Sequence, residues 1–283
     1  MIYELMLRGG EPNSSPDGHW GRVARLIREV LDEGDPGTAY RQQLLTVLDE
    51  WAEPDTDIPA INILPRLVYE ANGGDSFLAA PVTAAWQLIC MAAKLFDDVE
   101  DGQLRGDLSE GINLATGLLF LASLVLGDLS DRGVSVERVH ALNQTLNRAM
   151  LRACAGQHAD LAARRTGTTA IDPNTWLEIA QAKSGELLAW AAGAGALVAG
   201  ANERALACYR EYGSHLGVLL QVADDFNGVW GPGGPSAWPP RDSPCLSITP
   251  CRWLRARNEP ACQGYSKGRA REMRSPKPRP GNG

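Results

Sequence analysis

Leu88-Ile89-Cys90-Met91-Ala92-Ala93-Lys94-Leu95-Phe96-Asp97-Asp98-Val99-Glu100-Asp101 is an apolar run that ends in a cluster of acids. On a helix, Asp97 and Asp101 are four residues apart and Asp98 and Asp101 three apart, so the three carboxylates share one face. Like charges there repel, and acids at a helix C-terminus also oppose the helix dipole. A cation relieves both penalties. Hard oxygen ligands held in this way suit Mg²⁺, which keeps several waters and is usually shared with substrate phosphates. The plainer reading is a solvated acidic helix end, and the apolar run from Leu88 to Phe96 speaks against it.

A second cluster, Gln221-Val222-Ala223-Asp224-Asp225, follows the apolar stretch Leu216 to Leu220. Adjacent acids in so apolar a segment need a charge partner, because unpaired burial is expensive. Gln221 lies three and four residues before them, on the same helix face. Between the two clusters stand Gly156-Gln157-His158-Ala159-Asp160, with Gln157 and Asp160 one turn apart, and Lys183-Ser184-Gly185-Glu186, a lysine in an otherwise apolar helix with Gly185 at a kink. Read singly, Gln157 could equally be a satisfied core amide and Lys183 a side chain that snorkels to solvent.

Outward from these motifs the chain reads as helices. Apolar residues recur at helical spacing from Trp20 to Leu31 and from Ala39 to Trp51, with Pro36-Gly37 between them. Further helices are expected over Pro59 to Ala71, Ala79 to Gly102, Leu108 to Leu126, Ser135 to Arg164, Asp172 to about Gly200, and Asn202 to about Val229. Asp172-Pro173 has the form of a helix start. No stretch alternates convincingly as a strand. The fold class is therefore all-α: a single large helical bundle over 20–236, preceded by a loose arm at 1–19 and followed by an irregular tail at 237–283.

Composition bounds the function. The net charge is -7, yet residues 237–283 hold ten Lys/Arg and three acids, so the first 236 residues carry 17 basic against 31 acidic side chains. An acidic body argues against nucleic acid as the main partner. The six cysteines form no CxxC pair or zinc spacing; Cys90, Cys154 and Cys208 sit in helical patterns, where buried free thiols are expected, in a reducing, cytoplasmic setting. Met1 to Gly18 lacks the apolar core of a signal peptide. The most apolar run, Leu114 to Leu126, is shorter than the ~20 residues of a membrane span, so no transmembrane segment is expected.

In this order the motifs resemble the trans-prenyl diphosphate synthase (polyprenyl synthetase) family over roughly residues 55–236. The family's DDxxD is matched by Asp97, Asp98 and Asp101, its downstream diphosphate-binding arginine by Arg105, its GQxxD by Gln157 and Asp160, and its KTG by Lys183-Ser184-Gly185. Its QxxDDxxD is matched by Gln221, Asp224 and Asp225, with Gly228 where the last Asp would stand. The resemblance implies a class I isoprenoid synthase fold, a homodimer and an allylic prenyl diphosphate substrate. It implies Mg²⁺ on Asp97, Asp98, Asp101, Asp224 and Asp225, with Arg105, Lys183, Gln157 and Gln221 toward the substrate. Asp97, Asp98, Asp101 and Lys183 would then promote ionisation of the allylic C–O bond.

Two departures qualify what is implied. Chain-elongating members hold isopentenyl diphosphate on a basic segment and on a histidine seven residues before the first motif. Here these places are Ala60-Ile61-Asn62-Ile63-Leu64-Pro65 and Cys90, with Arg66 and His158 as the nearby basic side chains. The alternatives are therefore a class I terpene cyclase, transfer to another acceptor such as a peptide, or a non-catalytic partner subunit of a prenyl synthase. Small Ala92 and Ala93 beside large Phe96 leave the depth of the hydrocarbon channel open. The second departure is the tail, with eight prolines and no helical period. It reads as disordered and as the product of a one-base frameshift near Ser236, leaving the bundle C-terminally incomplete; a genuine basic tail for an anionic membrane is the alternative.

Overall fold

Val23, Leu26, Ile27, Val30 and Leu31 recur at three- and four-residue spacing, and all five are buried. That stripe makes His19–Glu33 an amphipathic helix, α1. The computed structural model describes residues 19–51, 60–74, 76–104, 106–165 and 172–230. After α1 come α2 (Thr38–Trp51), a 3₁₀ turn (Ala60–Ile63), α3 (Leu64–Ala71), α4 (Ser76–Glu100), α5 (Leu108–Gly127), α6 (Val136–Arg165), α7 (Pro173–Ala180), a π-turn (Gln181–Gly185), α8 (Glu186–Val198) and α9 (Glu203–Trp230). The described residues contain no strand, in agreement with the all-helical expectation. The expected arm before α1, Arg105 and the tail lie outside the described residues.

Local chemistry sets several of these ends. Asp107 caps α5 by accepting from the backbone N–H groups of Ser109 and Glu110, at 2.8 and 3.1 Å. Asp172 does the same for α7 through Asn174 and Thr175, with Pro173 at the first helical position. The expected single helix from Asp172 to Gly200 is instead two helices joined by the π-turn, which is the form the expected kink at Gly185 takes.

The chain divides into two compact units, one of residues 1–159 with 177–224 and one of residues 160–176 with 225–283. In the first unit α4 is the central helix and packs on α1, α3, α5 and α8. Thr83, Ala84, Ala85, Gln87, Leu88 and Ala92 are buried. The small residues of α8 let α3 come close: a Cβ on Gly195 would stand 2.1 Å from the Pro65 carbonyl oxygen. Trp86 and Trp190 meet with ring centroids 6.5 Å apart. Their N–H groups donate to the carbonyls of Ile61 (2.8 Å) and Leu142 (3.2 Å), so the indoles are buried without orphaned donors.

Among the described residues, two helices have the length and composition to cross a membrane, Phe77–Glu100 and Leu108–Gly127. The sequence expectation rested on the run from Leu114, but the helix begins at Leu108 and reaches 20 residues. In α4 the most apolar window is 72% buried within the protein, as befits a core helix.

Candidate functional site

The acid cluster ends α4 in a geometry that glycine makes possible. The Gln103 N–H donates to the Asp98 carbonyl at 2.8 Å and the Gly102 N–H to that of Val99 at 3.3 Å, with Gly102 at φ +67°. This is the paired closure of a helix terminus by a left-handed residue, a conformation that costs glycine little. Asp97, Asp98 and Asp101 therefore occupy the last turn and its cap, at the negative end of the helix dipole.

Cations and amides of the same unit gather there. Lys183 Nζ stands 3.8 Å from Asp97 Oδ1. Lys94, four residues before Asp98 on the same helix, is ion-paired with its carboxylate. Gln157, on α6, donates its Nε2–H to Glu100. Its Oε1 is buried and accepts no hydrogen bond.

The π-turn delivers Lys183 and is held by close contacts. A Cβ on Gly156 of α6 would lie 2.4 Å from the Lys183 backbone nitrogen, and one on Gly217 of α9 would lie 2.5 Å from the Ser184 carbonyl oxygen. Two helices thus press directly on the backbone of the turn. The wider π geometry, common at functional sites, projects Lys183 and Ser184 from adjacent positions of one turn. Ser184 Oγ donates to Gln221 Oε1 at 3.0 Å, linking the turn to the second motif.

The structure thus brings Asp97, Lys183, Gln157 and Gln221 into one connected set, through direct contacts and through the turn. Asp224, three residues after Gln221, is exposed. Asp160 and Asp225 belong to the second unit and are both buried. There the Trp176 Nε1–H donates to Asp225 Oδ2 at 3.2 Å. Arg105 lies outside the described residues. Lys94, Glu100 and Ser184 also take part, though the sequence reading gave them no role. Glu100 stood inside the acid cluster and Lys94 one turn before it, so their spacing was a usable signal.

Among the described residues no three His, Cys, Asp or Glu side chains stand close enough together to enclose an ion. The donor chemistry nonetheless fits a hard divalent cation. It consists of carboxylate oxygens on one helix end, with the vacant acceptor Gln157 Oε1 beside Glu100.

Residues 35–233 match the polyprenyl synthetase family. The chain is 32% identical over 186 residues to a geranylgeranyl diphosphate synthase of Mycobacterium tuberculosis, covering 61% of this chain and 51% of that one. It is 29% identical over 218 residues to a tryptophan prenyltransferase of Bacillus subtilis subsp. natto, covering 75% and 63%. Among solved structures it is similar to a polyprenyl synthase from Caulobacter crescentus complexed with calcium and isoprenyl diphosphate. The TM-score is 0.60 at 25% identity, over 74% of this chain and 62% of that one. The chain spans between half and two thirds of the length of these two curated relatives. With residues 35–233 matched, more than half of the sequence, this chain belongs to the polyprenyl synthetase family.

Proposed function

We propose that the chain binds an allylic prenyl diphosphate through Mg²⁺ and promotes its ionisation, as a prenyltransferase of isoprenoid biosynthesis. The observation that carries this reading is the approach of Lys183 to Asp97 at the acid-rich end of α4. A carboxylate cluster with an ammonium at its edge suits a ligand that brings both cations and negative oxygens. Asp97, Asp98 and Asp101 would hold the metal, and the resemblance assigns Asp224 and Asp225 the same duty on α9. When bound, Mg²⁺ would supply charge neutralisation for the departing diphosphate. Lys183, and by resemblance Arg105, would neutralise what remains, while Gln157 and Gln221 would orient the head group through their amides. A homodimer is the assembly that the family resemblance implies. The exposed apolar side chains Leu108, Ile112, Phe120 and Leu124, four or eight residues apart on α5, suit such a contact.

A second reading concerns the acceptor. The turn at the place of the family's basic segment is pinned from within: Gln87 donates to the Asn62 carbonyl at 2.5 Å and Trp86 to that of Ile61. Arg66, the nearest cation, donates to Glu70 at 2.7 Å. Burial pushes the pKa of the Cys90 thiol up, so that it stays neutral. These surroundings favour an acceptor that is not a second diphosphate: a cation quenched within its own chain, as in a terpene cyclase, or captured by an uncharged nucleophile.

The test is product analysis with Mg²⁺ and geranyl, farnesyl or geranylgeranyl diphosphate, with and without isopentenyl diphosphate. Metal-dependent diphosphate release supports the main reading. Hydrocarbons or alcohols without isopentenyl diphosphate support the second reading, and longer diphosphates formed only in its presence overturn it. Absence of any metal-dependent binding or turnover points to a non-catalytic partner subunit instead.

A further inference from the structure

Within the first unit, α6, α8 and α9 line an open cavity of about 220 Å³ that takes no part in the site above. Its floor is apolar and well packed. Ala149, Ala194 and Trp190 are buried, and the Trp190 N–H is already used by the Leu142 carbonyl. Its rim is cationic, with Arg148 and Arg152 one turn apart on α6 and Arg210 on α9. Arg152 Nη1 donates to both carboxylate oxygens of Glu186, each at 3.1 Å. Arg148 and Arg210 have no carboxylate partner among the described residues.

The local charge runs against that of the body. The first 236 residues hold 31 acids and 17 bases, yet this cavity has three guanidinium groups and one carboxylate. Gly193 is what lets Arg210 lie across α8, because a Cβ there would meet Arg210 Cγ at 2.9 Å and Nε at 3.1 Å. Arg148 and Arg210 are exposed at the rim, open to an anion from solvent, and the planar fork of arginine suits phosphoryl oxygens.

We propose that this cavity is a binding site for a small organic diphosphate. Its two phosphoryl groups would sit on Arg148 and Arg210, and its short hydrocarbon part would lie on the Ala149, Trp190 and Ala194 floor. The space equals about seven water-sized groups at ~30 Å³ each, enough for a five-carbon chain with the head group at the open mouth. The cavity shares no lining residue with the acid cluster; Glu186 at its near edge follows Lys183 by three residues, and Gly193, against Arg210, lies ten residues beyond Lys183, or about 15 Å along the helix. It requires no metal, so it stands or falls independently of the proposed activity.

The test is calorimetric titration of the full chain in EDTA, which removes metal-dependent binding at the acids. The probes are inorganic diphosphate and pentyl diphosphate. Pentyl diphosphate binds at least several-fold more tightly, and both weaken as salt is raised. Arg148→Ala with Arg210→Ala weakens binding by tenfold or more, with the thermal melt confirming that the variant is folded. Gly193→Ala, which keeps all three arginines but displaces Arg210, also weakens it. Asp97→Asn with Asp101→Asn leaves it unchanged. Unchanged affinity in the arginine variant, or loss of affinity in the aspartate variant, overturns the proposal. Equal binding of the two probes overturns the role given to the apolar floor.

Discussion

Lys183 Nζ and Asp97 Oδ1 stand 3.8 Å apart although 86 positions separate them in the chain. Both side chains are partly exposed, so the pair itself contributes little stability, about 0–1 kcal/mol. On the proposed function its worth would lie in placing a cation where a diphosphate's charge grows. Lys183→Met is expected to lower the rate of allylic diphosphate release by about 10²–10³-fold, as loss of a preorganised charge donor does. The melting temperature stays nearly unchanged, and Lys183→Arg recovers part of the rate. Single-turnover release kinetics decide it, and a full rate in the Met variant removes Lys183 from the site.

The glycines around the π-turn give a sharper structural prediction. Gly156→Ala sets a methyl 2.4 Å from the Lys183 backbone nitrogen, and Gly217→Ala sets one 2.5 Å from the Ser184 carbonyl oxygen. Backbone cannot swing aside as a side chain can, so each change is expected to cost about 1–3 kcal/mol. Gly127, exposed at the end of α5 with nothing within 4 Å of an added Cβ, is the control. There alanine is neutral or stabilising, by up to about 1 kcal/mol, through helix propensity. Urea titration of the three variants would reverse this reading if all three lost stability equally.

These contacts also mark where sequence reading stops. The Asp107 and Asp172 caps and the end of α4 at Gly102 were legible because each is set by neighbours within a few residues. The stripe Val23, Leu26, Ile27, Val30, Leu31 was legible because helical periodicity is local. Gln157 beside Glu100, and Gly156 against Lys183, were not, since no local rule says which helices meet or at what depth. The pinning of Asn62 by Gln87 was hidden for the same reason. A polar residue 1% exposed in the centre of an apolar helix has its partners on other elements.

Cys90 tests how closed the neighbourhood of α4 is. Burial raises the pKa of its thiol and so suppresses ionisation, leaving almost no thiolate at neutral pH, whereas Cys154 and Cys208 are exposed, against the expectation of buried thiols. Alkylation of the native protein, read peptide by peptide, is expected to modify Cys154 and Cys208 within minutes and Cys90 only after denaturation. Rapid native labelling of Cys90 would mean an open, polar pocket there and would weaken the case against a diphosphate acceptor.

The apolar ridge on α5 has a measurable consequence. Phe120 is 69% exposed and Leu124 is 54% exposed, one turn further along the same face. Ridges of this spacing pack well against another helix. Phe120→Glu with Leu124→Glu is expected to convert a dimer to a monomer in light scattering, while helicity by circular dichroism is kept. A wild-type chain that is monomeric at tens of micromolar would reject the dimer reading outright.

Lys94 competes with any metal for Asp98. Its ammonium is paired with that carboxylate across one helical turn, and the lysine side chain is 55% exposed. A divalent cation binding at Asp98 must displace it. An exposed pair of this kind holds about 0–1 kcal/mol, so its removal has a bounded effect. Lys94→Gln is expected to tighten Mg²⁺ binding by about two- to fivefold, in line with that energy, and the gain should shrink as salt screens the pair. Asp98→Asn should weaken Mg²⁺ binding by far more, because it removes a ligand and not merely a competitor. The two variants therefore move the Mg²⁺ midpoint in opposite directions when the metal sits on the α4 acids. Movement in the same direction, or none, would place the metal elsewhere.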